Sequence, residues 1–422
     1  DLTDDSDADP NNNLTTPTVT LESADTIPTL DAGFYGKDFG DSPIGFVTTE
    51  GVDGARHVIH PDKYLGSGVD SETDGLPQSE SGFDGTGGDD NNSSAYSKGT
   101  VSGSDEDGIE FITPLIPGHE ACIKVTSTLG SGQAYLTGWI DFNGNDNFET
   151  NEQLAFNING TPTADAPISN GTVTQNYCFD VPAFATFDGG ETHSRFRMSC
   201  ETGVSATGLV IGGEVEDYWE AFAKVGNLVW RDYEFEGNQD EPTYDGFNGI
   251  AVELIWAGED GILGNNDDIT YSTTTANIDG EDGKYCFFGL RPDDYTLRIP
   301  TIPAGFESTT ADNTGNEDDD SDGISVDFTV PTDFGLVTGE NGTADNPTGD
   351  NYPDSQTDMT FDFSFIAFDY GDLPTGFPTT KAESGPHHSI YPNMYLGNGV
   401  DSETDGASQA HSGFDGTGGD DN

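Results

Sequence analysis

Basic residues are scarce in this sequence: 13 Lys and Arg stand against 78 Asp and Glu over 422 residues, a formal net charge of −65. Nucleic acids and anionic membranes are held by cationic side chains that displace counterions, so neither is an expected partner. Long apolar runs are also missing. No stretch of about 18 apolar residues is present, so no membrane-spanning helix is expected. The first residues carry no basic region followed by an apolar core, so no secretory leader is expected within them.

Helical periodicity is nearly absent, and so are the local signatures of catalysis. No HExxH pair, Gly-x-Ser-x-Gly elbow, Walker loop or complete Gly-x-Gly-x-x-Gly occurs. The many acids include no carboxylate pair beside an evident apolar pocket, as a glycosidase would need. His57 and His60 form an HxxH pair, but the related positions later in the chain are His388 and Tyr391, so a transition-metal site is not expected. An enzyme is not the expected reading.

What is abundant is acid in turns. Asp outnumbers Glu by roughly two to one and alternates with Gly, Asn and Ser in short loops. Halophilic adaptation would instead spread both acids over surfaces. Asp, Asn and Gly form turns, and the carboxylates and carbonyls of such loops are hard-oxygen ligands suited to calcium. Several calcium ions are therefore the expected cofactors.

The sequence also repeats itself. The stretch from Asp38 (DFGDSPIGFVTT…YLGSGVDSETDG…SGFDGTGGDDN) recurs from Asp369 (DYGDLPTGFPTT…YLGNGVDSETDG…SGFDGTGGDDN) at a constant offset of 331 residues, with about two-thirds of positions identical. The acids are kept between the copies while apolar and basic neighbours change. Residues 1–36 read as the end of a module and 369–422 as the start of one. The expected partners are thus neighbouring copies of the same repeat, in one chain or between subunits, with a surface or glycan ligand as a further possibility.

Strand-like runs are frequent: 121–126, 135–141, 176–181, 194–199, 218–225, 227–231, 250–256, 269–275, 284–288, 295–299 and 359–368. Several alternate, as in Arg195-Phe196-Arg197-Met198, which marks a sheet with one buried face. Short strands separated by Gly, Asn and Asp turns predict β-sandwiches, and the length allows two to four domains. Residues 49–107 are poorer in strand signals and are expected to be irregular, held by ions rather than by a core.

The loop after 135–141 places oxygen side chains with EF-hand spacing: Asp141, Asn143, Asn145, Glu149 and Glu152 at positions 1, 3, 5, 9 and 12, with Asn147 at position 7. Its Gly falls at position 4 rather than 6, and it follows a strand rather than a helix. Asp232, Glu234, Glu236, Asn238, Asp240 and Glu241 repeat the pattern after the 227–231 run. Such close carboxylates repel unless a cation or solvent screens them. Shorter candidate clusters are Asp260, Asp267 and Asp268, and Asp318, Asp320 and Asp322. The repeated segment adds Asp38 and Asp41, Asp70, Glu72 and Asp74, then Asp105 and Asp107.

Two families resemble parts of the chain. Residues 225–368 resemble the B-type repeat of Sdr-family bacterial surface adhesins, through Gly226-Asn-Leu-Val-Trp230, the Asp232 loop, Gly249-Ile-Ala-Val252, Asp282-Gly-Lys-Tyr285, Asp294-Tyr295 and Pro303-Ala-Gly-Phe306. That resemblance implies an immunoglobulin-like sandwich, calcium in its loops and a stalk or spacer role. Residues 1–36 look like the end of another such module. Residues 109–224 resemble the GEVED domain of large secreted bacterial proteins, through Trp139-Ile-Asp141-Phe-Asn143-Gly, Arg195-Phe-Arg197 and Gly213-Glu214-Val-Glu216-Asp217-Tyr218. Glu214, Glu216 and Asp217 join the candidate metal ligands.

The expected whole is an all-β chain of tandem immunoglobulin-like β-sandwich modules with calcium-binding loops. Its divisions are 1–36, 37–224 (acidic segment plus GEVED-like sandwich), 225–368 (Sdr B-like sandwich) and 369–422. Four cysteines allow three pairings. Cys122 and Cys178 share a domain and similar strand contexts, so a bridge between them is preferred, with free buried thiols as the alternative. The expected role is an extracellular, calcium-stabilised structural repeat forming a cell-surface stalk, fibre or filament that can mediate adhesion. The alternative is a carbohydrate- or matrix-binding module of an adhesin or secreted hydrolase. That would need exposed aromatics, whereas Trp139, Trp219, Trp230 and Trp256 all sit in strand contexts.

Overall fold

A computed structural model describes residues 34–69, 71–75, 106–239, 245–309, 320–331, 356–374 and 376–406. Among these residues there is no α-helix; strands and short 3₁₀ turns carry the fold. The all-β, multi-sandwich architecture expected from the alternating runs is what forms.

Three short strands open the described chain: β1 (Lys37–Phe39), β2 (Arg56–Val58) and β3 (Lys63–Leu65). The first sandwich follows, with β4 (Ile109–Phe111), β5 (Glu120–Leu129), β6 (Tyr135–Ile140), β7 (Phe156–Ile158), β8 (Thr161–Thr163), β9 (Ala166–Pro167), β10 (Gly171–Asp180), β11 (Glu191–Ser199), β12 (Leu209–Ile211) and β13 (Gly213–Ala221). One sheet runs β3-β5-β10-β7-β8, with β4 also on β5, and the other runs β13-β11-β6-β9. Alternation decides the buried face: along β5, Ala121, Ile123, Val125, Ser127 and Leu129 point inward. They meet Leu136, Ile140, Phe196, Met198 and Tyr218 from the facing sheet in one core. Cys122 and Cys178 lie directly opposite on β5 and β10 and are joined by a disulfide. Cys200 and Cys286 take no part in this disulfide and are half-buried.

The second sandwich has β14 (Ala223–Arg231), β15 (Ala251–Trp256), β16 (Ile269–Thr274), β17 (Ala276–Ile278), β18 (Glu281–Leu290), β19 (Asp293–Arg298), β20 (Phe306–Ser308), β21 (Ser325–Val330) and β22 (Thr357–Tyr370), and a last strand, β23 (His387–Ser389), pairs with β22. Its sheets are β17-β18-β14-β22-β20 and β16-β15-β19-β21, with β14 and β22 parallel. Val229, Leu254, Trp256, Tyr285, Tyr295, Phe363 and Phe365 fill the space between them.

Two expectations need correction. The run 218–225 is not one strand: β13 ends at Ala221, Phe222 intervenes, and β14 begins the second sandwich at Ala223. Tyr218-Trp-Glu-Ala-Phe-Ala-Lys-Val225 holds no Gly, Pro, Asn or Asp to mark the break in sequence. The segment expected to be held by ions rather than by a core does have apolar anchors. Within residues 49–107 Ala55 and Leu65 are buried, and Phe39 and Phe46 just before them are buried too; burying a side chain as large as leucine is worth about 1.5–3 kcal/mol.

The two sandwiches meet without a linker. Leu115 donates its amide to the Gly289 carbonyl (2.9 Å), and Arg291 donates to the Phe111 carbonyl (2.8 Å). Gly289 has φ +81°, and a Cβ there would lie 2.2 Å from the Leu115 oxygen, so this close approach requires glycine.

Candidate functional site: acidic loops and a carboxylate clamp

The loop leaving β6 is built around two buried acids. Asp141 accepts from the amides of Asn145 (3.2 Å, Oδ1) and Asp146 (2.9 Å, Oδ2), while Thr192 donates to its carbonyl. Gly144 and Asp146 adopt positive φ, which turns the chain tightly enough for these bonds. Glu152 is fully buried. Its Oε2 accepts from the Glu149 amide (3.0 Å), and its Oε1 is buried with no hydrogen-bond partner. Glu149 accepts from the side-chain amides of Asn143 and Asn145, each at 2.9 Å, and Asn147 is exposed.

Residues 141–152 include no Lys or Arg. Burial, reinforced by the charges of Asp141 and Glu149, pushes the Glu152 carboxyl up to about 7; the Glu149 amide opposes this. Burial likewise raises Asp141, against the amides of Asn145, Asp146 and Gly144. A buried carboxylate oxygen without a donor is costly. Hard oxygen donors with net negative charge match a calcium ion better than a soft metal. The residues present therefore fit the ion: Asp141, Glu149 and Glu152 would supply carboxylates, with the Asn143 and Asn145 side chains beside them. Among the described residues, the one group of acids, cysteines or histidines gathered within 4.8 Å is Glu120, Cys122 and Cys178, whose sulfurs are already bonded together.

In the second sandwich two clusters that are separate in sequence come together. Asp232, buried after β14, accepts from the amides of Glu234 (2.7 Å), Phe235 (3.0 Å) and Gly237 (2.9 Å). Asn238 then forms a backbone bridge to Asp320, which is buried and adjoins Asp322. Asp322 accepts from the Asp362 amide (2.8 Å), and Asp362 accepts from the Leu228 amide (2.9 Å). Burial first, and Asp322 second, raise the Asp362 carboxyl well above the ordinary range. Asp362 is an acid the sequence reading missed; it lies inside a strongly apolar run, where an Asp that survives burial is the available signal. Glu234 and Glu236 are exposed at the rim. Asp240, Glu241 and Asp318 fall outside the described residues.

The third loop, between β15 and β16, closes on itself. Asp260 accepts from the Ile262 amide and the Asn265 side chain, Asp268 accepts from the Gly264 amide, and Asp267 donates its amide to Asn265.

Acids of the repeated segment and of the Gly213–Asp217 strand form a clamp. Asp38 accepts from the Val215 amide (2.6 Å), Glu106 from the Asp217 amide (2.8 Å), and Glu214 from the Leu65 amide. Glu216 takes the Gly108 amide (3.0 Å) and the Tyr218 hydroxyl (3.0 Å), and Asp217 takes the Ser42 amide (2.7 Å). Glu72 accepts from Phe39, Asp74 from Glu50 and Asp107 from Ser67. Asp41 is buried in the same region, while Asp70 and Asp105 lie outside the described residues. Asp38, Glu106, Glu214, Glu216 and Asp217 thus stitch the irregular segment onto β13 through amide donors, while Glu72, Asp74 and Asp107 brace the segment internally.

Arg195 and Arg197 complete the clamp. Arg195 forks onto Asp217 with two 2.7 Å bonds, both side chains fully buried. Burial would raise Asp217, but the Arg195 charge and the hydrogen bonds outweigh it and hold the carboxyl below its usual range. Arg197 donates to His57 (2.9 Å) and to the carbonyls of Ser205, Thr207, Gly208 and Arg56. His57 therefore acts as an acceptor through Nε2. Its pKa is held well down by burial and then by Arg197. Trp139, Trp230 and Trp256 are buried, and Trp219 is half-buried with its indole donating to Glu191.

Two packed sandwiches with acid-rich loops, one of them covered by an acid-clamped segment, make this a chain of β-sandwich modules. Residues 135–219 match the GEVED domain family, and residues 223–351 match the SdrD B-like domain family. It is similar to serine-aspartate repeat-containing protein F of Staphylococcus epidermidis, 30% identical over 198 residues, covering 43% of this chain and 11% of that protein. It is also similar to protein D of Staphylococcus aureus (29% identical over 193 residues; 43% and 12% covered) and to protein C (30% over 185 residues; 42% and 17%). The chain thus spans about a tenth to a sixth of the length of these relatives. Domains D2 and D3 of the major pilin SpaD from Corynebacterium diphtheriae superpose at 10% identity and a TM-score of 0.25, covering 61% of this chain and 98% of that one.

Proposed function

We propose that this chain is an extracellular, calcium-stiffened structural repeat of a cell-surface stalk or fibre, without catalytic activity of its own. The observation that carries the reading is Glu152: a fully buried carboxylate with one oxygen lacking any donor, in a loop of oxygen ligands that has no cationic side chain. The chain's own groups prepare the site. Backbone amides orient Asp141, the Glu149 amide orients Glu152, and the two asparagines position Glu149. A bound calcium would supply the missing positive charge. The Asp232 and Asp320–Asp322 loops are the second candidate position. The linker-free contact between the sandwiches supports a load-bearing rather than a flexible-tether role. A carbohydrate-binding alternative gains no support from the tryptophans, which are committed to packing.

The test is thermal unfolding of the chain in millimolar calcium and in EGTA. Extracellular calcium modules bind at about 10⁻⁴–10⁻³ M, and a site at one hundred times its dissociation constant stabilises by about 2.7 kcal/mol. A fall of several degrees in EGTA is expected. Coincident melting curves would remove calcium from the mechanism.

A further inference from the structure

The repeated segment occurs twice, and the two copies have the same internal architecture but opposite exposure. In the first copy β1 pairs with β2, and in the second the end of β22 pairs with β23 at the equivalent positions. Thr48 donates its hydroxyl to the Ser42 carbonyl, and Thr379 to the Leu373 carbonyl. Glu72 accepts from the Phe39 amide, and Glu403 from the Tyr370 amide. Asp74 accepts from the Glu50 amide, and Asp405 from the Lys381 amide. The second copy is thus folded, and it is anchored to the second sandwich. Arg231 donates to the Ile390 carbonyl, Lys381 pairs with Glu307, and Tyr391 packs on Tyr233.

What differs is the outer face. Leu65 is 0% exposed in the first copy, and its counterpart Leu396 is 95% exposed; Phe46 is 1% exposed and its counterpart Phe377 is 52% exposed. His57, buried against Arg197, corresponds to His388, which is exposed. In the first copy β3 adds to the sheet through β5, and β2 pairs in parallel with β12. The equivalent residues 394–396 form no strand, and the outer edge of β23 has no neighbour among the described residues. Met394, Tyr395 and Leu396 line an open groove with His388, Ile390 and Tyr391. Exposed apolar side chains beside an unpaired strand edge mark an interaction surface.

We infer that residues 369–374 and 376–406 are a preformed docking surface for a second GEVED-type sandwich, equivalent to residues 106–224. The first copy is the template for the contact. Leu396 and Phe377 enter that sandwich, residues 394–396 extend its β5-equivalent strand, and β23 receives its β12-equivalent strand. Asp369, counterpart of Asp38, accepts the amide corresponding to that of Val215. The segment is then a joint, gripped on one side by an SdrD B-like sandwich and on the other by a GEVED sandwich. This inference rests on the stalk reading for its purpose, but it stands on the paired exposures alone.

The experiment extends the full chain after Asn422 by a copy of residues 92–224, which continues the 331-residue register. Hydrogen exchange is then followed at the amides of residues 388–396 in the chain with and without the extension. Exchange at residues 394–396 is expected to slow at least tenfold on extension, with Leu396→Asp and Phe377→Asp each restoring the fast rate. The added sandwich has the sequence that folds against residues 37–75. Either its failure to fold against that docking surface, or its folding without protecting 394–396, would therefore overturn the proposal. Both measurements are made in excess calcium, whereas the stalk-stiffening reading is judged by the EGTA melting shift of the unextended chain, so the two can fail separately.

Discussion

Glu152 concentrates the electrostatics of the β6 loop in one side chain. Its carboxyl is raised from 4.5 to about 7 in the fold, by burial first and by neighbouring acids next. Between those values the folded chain binds more protons than the unfolded one, so the metal-free fold loses stability as pH rises from about 4.5 to about 7. His193 works in the opposite sense. Burial pushes it down to about 4 from 6.5, so its contribution is lost as pH falls from about 6.5 towards 4. The two are separable by substitution. In EGTA, Glu152→Gln is expected to remove the part of the melting-temperature decline that occurs between pH 4.5 and 7. In calcium, the proton and the ion compete for Glu152, so the stabilisation by calcium should be larger at pH 7.5 than at pH 5. A calcium-induced melting shift of equal size at both pH values would show that Glu152 does not ligate the ion.

Among elements, β11 and β13 show how a strand can be buried on both faces by a segment distant in sequence. The Arg195–Asp217 pair lies under residues 37–75, with Ser42 donating to Asp217 and the Phe46 carbonyl within 3.4 Å of Arg195. Removing one member of a buried pair leaves the other charge uncompensated, which costs about 3–5 kcal/mol. Asp217→Asn is expected to destabilise the first sandwich by that amount in urea unfolding and to make residues 40–75 sensitive to protease in the folded state. A change within about 0.5 kcal/mol, the size of an ordinary surface substitution, would mean that the clamp carries no weight. The alternation Arg195-Phe196-Arg197-Met198 made the strand legible and placed Phe196 inward, but it also placed the arginines on an open face. Nothing local in that pattern says that a segment some 150 residues earlier covers them. Likewise, the Asp141–Glu152 loop was legible because its oxygen side chains, with EF-hand spacing, lie in one short run of sequence. The joining of Asp232–Asn238 to Asp320 was hidden because it depends on which strands become neighbours. The acids of the Gly213–Asp217 strand were recognisable as important, yet composition could not distinguish oxygens aimed at an ion from oxygens aimed at backbone amides.

At the scale of the whole molecule, the question is whether the modules act as one rigid unit. β13 passes into β14 across Phe222 alone, and the contact is fixed by Leu115 on Gly289, Arg291 on Phe111, and His119 packed edge-on against Tyr271. A Pro/Gly-rich linker would leave the two sandwiches free to reorient, whereas here a single residue separates their strands and backbone contacts join them. Gly289 is the position where that rigidity can be tested with least chemistry. Its positive φ and the nearby Leu115 carbonyl both exclude a side chain, and the φ preference alone costs an alanine about 1 kcal/mol or more. Gly289→Ala is therefore expected to separate the first and second sandwiches while each retains its own core, Phe111 with Phe196 in one and Trp256 with Tyr295 in the other. Small-angle X-ray scattering in calcium should show a larger radius of gyration and the profile of two jointed bodies, with unfolding resolved into two transitions. A scattering curve matching that of the parent chain would mean that the Gly289 contact does not fix the angle between the two sandwiches.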